Sequence, residues 1–143
     1  LPWPKILENG KDERPGRACY CGRSGCIETW LSGPGFETDY REAAGEQRPS
    51  EGIVALASAG DTTARLVLAR YVDRLARSLA HVINILDPDV IILGGGMGKI
   101  SSLYDEVPRQ WGQYIFSDSV RTALRPPVHG DSSGVRGAAW LWP

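Results

Sequence analysis

Three cysteines and a carboxylate fall within ten residues, Cys19-Tyr-Cys21-Gly-Arg-Ser-Gly25-Cys26-Ile-Glu28, and the chain has no other cysteine. One and then four residues separate the thiols. Gly22 and Gly25 let the backbone turn tightly enough for three sulfurs to converge on one ion. Zinc is the expected ion, because thiolates suit a borderline-soft cation, although a structural site is normally closed by four ligands. Two other fates stay open. A Cys21 to Cys26 disulfide would close a strained loop and leave an odd thiol, whereas three inert thiols would need no partner. The sequence reads without a secretory signal, so a reducing compartment, the cytoplasm, is expected.

The chain has two histidines that could supply a fourth ligand, and neither is near the cysteines in sequence. His81 falls inside a helical pattern with Leu79, Val82 and Ile83, where a hydrogen-bonded helix histidine is the simpler reading. His129 lies in Pro-Val-His-Gly-Asp, where a turn explains it as well as a cleft would.

The elements that must position these groups follow from periodicity. Lys5 to Arg17 reads as an extended arm leading to the cysteine turn. Short helices are predicted at residues 27–31, 36–44 and from Ser50 to Ala59, with Ser32-Gly33-Pro34-Gly35 as a break. Asp61 caps the strongest pattern, in which Ala64, Leu68, Tyr71, Val72, Leu75, Leu79, Val82, Ile83 and Leu86 recur at spacings of three and four until Asp87-Pro88 stops them. That helix would be about 38 Å long. Arg70, Asp73, Arg74 and Arg77 occupy its other face, which reads as solvated.

Asp89-Val-Ile-Ile-Leu93 is a continuous apolar run of the kind found in a strand covered on both sides. Gly94-Gly95-Gly96-Met97-Gly98 follows directly, ahead of a helix predicted over 101–116. A glycine run at the carboxyl end of a buried strand lets a ligand approach the backbone where α/β sheets bind nucleotides. A plain strand-to-helix turn could use the same glycines, because the Lys-Ser/Thr ending of a phosphate loop is missing. A strand over 125–129 and a helix over 134–141, anchored by Trp140 and Trp142, complete an α/β order with a helix-rich insertion.

With 143 residues, 42% hydrophobic and a net charge of −1, the chain has the size of one globular domain or one lobe. No bulk charge draws it to nucleic acid, and no apolar run reaches the length of a membrane helix.

The cysteine block, together with Ile85-Leu-Asp-Pro-Asp-Val-Ile-Ile-Leu-Gly-Gly-Gly96 and His129-Gly-Asp-Ser-Ser-Gly-Val-Arg-Gly-Ala-Ala139, resembles the ROK family of sugar kinases and sugar-responsive repressors. The wording is similar to bacterial fructokinases of the manno(fructo)kinase type. The resemblance implies the C-terminal lobe of an actin-like, ribonuclease-H-like ATPase fold carrying a helix-rich zinc-binding insertion. Residues 1–60 would form the zinc-binding arm and helical segment, and residues 61–143 the nucleotide-side α/β lobe. It also implies that the phosphate loop, the catalytic aspartate and a histidine that is the fourth zinc ligand precede Leu1, so that this chain contains no catalytic residue and is inactive alone. Cys19, Cys21 and Cys26 then correspond to structural zinc ligands, and Glu28 to an acceptor of sugar hydroxyls. On the residues alone, Glu28 is an ordinary carboxylate at a helix start. Gly94, Gly95, Gly96 and Met97 correspond to the turn beside the adenosine. Mg-ATP and a hexose, fructose first and mannose next, are the implied substrates, and a homodimer the implied assembly. A ROK repressor with an added DNA-binding domain is the alternative.

Overall fold

A computed structural model of the chain describes residues 1–2, 4–7 and 11–141. Among the described residues six helices and two strands follow in the order α1 (Glu28–Leu31), α2 (Gly33–Ala44), α3 (Ser50–Ala59), α4 (Thr62–Leu86), β1 (Val90–Ile92), α5 (Leu103–Trp111), β2 (Ala123–Arg125) and α6 (Ser133–Ala139), with short 3-10 turns beside α5, α6 and after β1.

The long helix forms as its periodicity predicts. Asp61 Oδ1 accepts from the Ala64 N–H at 2.7 Å, supplying a partner for one of the donors every helix start leaves unbonded. At the other end Asp87 takes a left-handed conformation, φ +42°, and Pro88 follows. Val67, Tyr71, Val72, Ala76 and Ala80 are buried against α2, α3 and α5, and the Phe36 ring meets Tyr71 edge-on at 5.3 Å. Toward its end the predicted stripe fails, since Val82 and Leu86 are exposed. Asp61→Ala is expected to lower stability by about 1 kcal/mol, read as a shift in the urea midpoint with an unchanged slope.

Three predicted boundaries move. Helix α2 begins at Gly33 rather than residue 36, because Ser32 Oγ accepts from the Gly35 N–H at 3.1 Å and Pro34 sits in the first turn, where its missing N–H costs nothing. The helix predicted over 101–116 is regular only from Leu103 to Trp111, then tightens into a 3-10 turn at Gly112–Tyr114. The second strand lies at Ala123–Arg125 rather than 125–129, parallel to β1 with Val90 opposite Ala123 and Ile92 opposite Arg125. Strand β1 is not covered on both sides: Val90 and Ile92 expose about half of their surface. Trp140 is also exposed rather than an anchor, and Trp142 lies outside the described residues. One core crosses residue 60, joining Phe36, Tyr40 and Ile53 to α4 and α5.

Candidate functional site

The cysteine loop is built by its own backbone. The Cys19 N–H donates to Arg23 O at 2.8 Å, the Gly22 N–H to Cys19 O at 3.0 Å, and the Gly25 N–H to Arg17 O at 2.9 Å. Gly25 holds φ +72° against the preceding arm, where a Cβ would lie 2.7 Å from Pro15 O, so no larger residue fits.

This geometry brings Cys19, Cys21 and Cys26 together: their sulfurs lie within 4.8 Å of one another, with Cys21 Sγ and Cys26 Sγ 3.5 Å apart. All three are free thiols. Tetrahedral bonds of about 2.3 Å would separate sulfurs by roughly 3.8 Å, so the spacing suits zinc. The thiols also shift one another's ionisation in opposite directions. Hydrogen bonds from Cys21 and Cys19 push the Cys26 thiol up to about 11, while the Arg23 N–H and the neighbouring thiols lower Cys21. Three thiolates at this spacing need a cation to coexist. Neither histidine joins the group among the described residues. His81 is exposed on α4, and His129 Nδ1 lies 3.0 Å from Arg136 Nη1.

Glu28 opens α1 two residues beyond Cys26, with its side chain exposed. The loop and α1 therefore share one support.

That support is a buried ion cluster, which sequence reading placed in solvent. Arg70, Arg74 and Arg77 are 8%, 1% and 1% exposed. Glu13, in the predicted arm, receives Arg74 Nε at 2.8 Å, Arg77 Nη1 at 2.8 Å, Arg77 Nη2 at 3.0 Å and the Lys5 N–H at 2.8 Å. Burial by itself would raise the Glu13 carboxyl, but the bonds from Arg77, Arg74 and Lys5 outweigh it and hold it at about 2. Asp39 on α2 pairs with Arg74 at 2.7 Å, Arg70 at 3.3 Å and Arg17 at 3.4 Å. The guanidiniums of Arg17 and Arg74 both stack on Trp30 of α1, at 4.3 and 4.4 Å from the ring centre. One signal could have exposed the cluster: Arg70, Arg74 and Arg77 continue the phase of Val67, three, seven and ten residues on, and Val67 is core.

On the far side of α2, a cleft of about 830 Å³ is lined by Gly33, Glu37, Ser50, Leu68, Gly96 and Met97 among others. Ser50 donates to Glu37 Oε1 through both its N–H and its hydroxyl, at 2.9 Å each, tying α3 to α2 at the cleft wall. Gly95 takes φ +76° and starts the 3-10 turn Gly96–Lys99. The structure thus brings Gly96 and Met97 to the cleft. Gly94 and Gly95 stay exposed beside it and do not line it. The cleft draws residues from both sides of residue 60, and its size is that of a small-molecule pocket.

The model of the ROK family matches residues 8–143. The chain is 37% identical over 133 residues to N-acetyl-D-glucosamine kinase of Mannheimia succiniciproducens, covering 93% of this chain and 44% of that protein. It superposes on a ROK hexokinase from Thermus thermophilus with a TM-score of 0.75 at 27% identity, covering 87% of this chain and 44% of that one. A ROK family glucokinase from Streptomyces griseus, in complex with glucose and AMPPNP, shares the fold with a TM-score of 0.79 at 21% identity, over 88% and 47% of the two chains. The chain spans less than half the length of the curated relative.

Proposed function

The chain belongs to the ROK family, and on that premise we propose that it is the sugar-side and nucleotide-side lobe of an ATP-dependent hexose kinase. The observation that carries this is the cleft at the glycine turn after β1. Its wall starts at Gly33, directly after the stretch that holds the thiol cluster and Glu28. In this reading Mg-ATP occupies the cleft with its adenosine along Gly96 and Met97, Gly94 and Gly95 forming the turn beside it, and Glu28 accepts hydrogen bonds from two neighbouring sugar hydroxyls. Phosphoryl transfer depends on orientation and charge placement, which these residues supply. The proton-accepting aspartate belongs to the part of a ROK kinase that would precede Leu1. The exposed apolar side chains of Val90 and Ile92, on one side of β1, suit a face that further elements of the same fold cover. A homodimer through this lobe is part of the same reading.

Cys19, Cys21 and Cys26 would hold zinc, whose contribution is to cross-link the loop rather than to react. Metal analysis of the protein is expected to find about one zinc per chain, lost on Cys26→Ser. Retention should be weaker in the 143-residue chain than in a longer one that supplies a histidine ligand. Metal-free protein with three reactive thiols would overturn the zinc assignment.

Fructose is the proposed sugar, from the wording of the motifs. N-acetyl-D-glucosamine is the second reading, favoured by the name of the curated relative above, and that kinase relative favours a kinase over the repressor alternative. ADP release by the full-length protein with Mg-ATP and each of fructose, mannose and N-acetyl-D-glucosamine tests all three. The highest kcat/KM on fructose is expected. A reversed order selects the second reading, and no turnover with any hexose removes the kinase.

A further inference from the structure

Helix α1 is four residues long, too short to hold its own geometry in water. Where Glu28 points is therefore decided by what grips α1 from outside. On one side is Cys26 with its sulfur cluster. On the other is Arg17, which lies before the loop in sequence but reaches past it. Arg17 Nη1 donates to Thr29 O and to Gly35 O, both at 3.0 Å, joining the carbonyls of α1 and α2. Its Nη2 meets Asp39 Oδ1 at 3.4 Å and Glu42 Oε2 at 3.1 Å. The same guanidinium stacks on buried Trp30. One planar group thus fixes α1 through a backbone carbonyl and a ring while two carboxylates hold the group itself.

The junction has no slack. A Cβ on Gly35 would lie 2.7 Å from Thr29 O and 3.1 Å from the Trp30 carbonyl carbon, so α2 can approach α1 this closely only at a residue without a side chain.

We propose that Arg17 is a positioning residue for Glu28: by bridging Thr29 O and Gly35 O and stacking on Trp30, it sets the orientation in which Glu28 meets the sugar hydroxyls. The proposal rests on the reading of Glu28 as the sugar carboxylate. Arg17 does not line the nucleotide cleft, so its removal should misplace one hydrogen-bonding group and leave that cleft alone. Misplacement of about 1 Å can cost a reacting group orders of magnitude.

The test is steady-state kinetics of the full-length protein with its preferred hexose. Arg17→Met is expected to raise the hexose KM about tenfold or more while the ATP KM stays within about twofold. Arg17→Lys should fall between, because an ammonium keeps the charge but cannot span two carbonyls and stack at once. Gly35→Ala removes no donor and should give the same one-sided change by pushing Thr29. Should Arg17→Met not fold, Arg17→Lys and Gly35→Ala carry the comparison. The decisive measurement is the double variant. In a Glu28→Gln background, Arg17→Met should change the hexose KM by no more than about twofold, since it acts through the carboxylate already removed. Additive losses, or equal rises in both KM values, would overturn the proposal and leave Glu28 standing. An unchanged hexose KM in Glu28→Gln alone would instead overturn the role of Glu28.

Discussion

Glu13→Gln is expected to destabilise the fold by about 3–5 kcal/mol, the cost of breaking a buried ion pair from one side. The carboxylate is fully buried and accepts four hydrogen bonds, three of them from Arg74 and Arg77. An amide of the same shape keeps one acceptor and turns an NH2 toward guanidiniums that can only donate. Arg74 retains Asp39, and Arg77 retains Asp73 at 2.9 Å and Pro2 O at 3.2 Å, so the charge is poorly compensated rather than stranded. Against a typical total of about 5–15 kcal/mol, this is a large fraction. Urea titration should show the midpoint falling with little change in slope. A loss under about 1 kcal/mol would mean that the cluster relaxes around the amide.

The same group fixes the sign of the acid response. Its carboxyl is held at about 2 in the fold against an ordinary value of 4.5, so between these values the unfolded chain binds more protons and stability rises with pH. The contribution is fully present above about pH 4.5 and disappears as pH falls through 2. Glu13→Gln should lack this part of the acid transition. An unchanged acid limb would assign that limb to other carboxylates.

Glu28→Gln is expected to lower kcat/KM for the hexose about a hundredfold while ATP use is nearly unchanged. Hydrogen bonds to a charged acceptor contribute about 1.5–3 kcal/mol each, and the amide can keep only one of two. Because Glu28 is exposed at the start of α1, the substitution should leave stability nearly untouched. The kinetic loss can then be separated from unfolding by comparing urea midpoints. Unchanged hexose kinetics would remove Glu28 from the site.

The long helix, the cap at Asp61, the turn at Gly25 and the convergence of Cys19, Cys21 and Cys26 were legible in the sequence. Each depends on residues a few positions apart, where helical spacing, a capping oxygen or a glycine dictates geometry locally. The strand after Pro88 and its glycine turn were legible for the same reason. Strand β2 was placed late, because three residues offer almost no periodicity and the register with β1 is set by pairing.

The arginine face of α4 is where local reasoning reversed. Spacing marks Arg70, Arg74 and Arg77 as one face of a helix but cannot say what lies opposite it. Their partners stand 61 and 64 residues away at Glu13 and 35 away at Asp39. Only the folded chain brings those carboxylates close enough to offset the cost of desolvating three guanidiniums.

The sequence by itself determined the helices, the sulfur cluster and the family. The tertiary structure decided that an arm expected to be extended supplies a buried counter-ion, that the cleft takes walls from both halves of the chain, and that Arg17 and Trp30 secure the helix carrying Glu28. Backbone periodicity and turn chemistry are short-range and can be read in order along a chain, whereas the burial of charge depends on which distant groups arrive beside it.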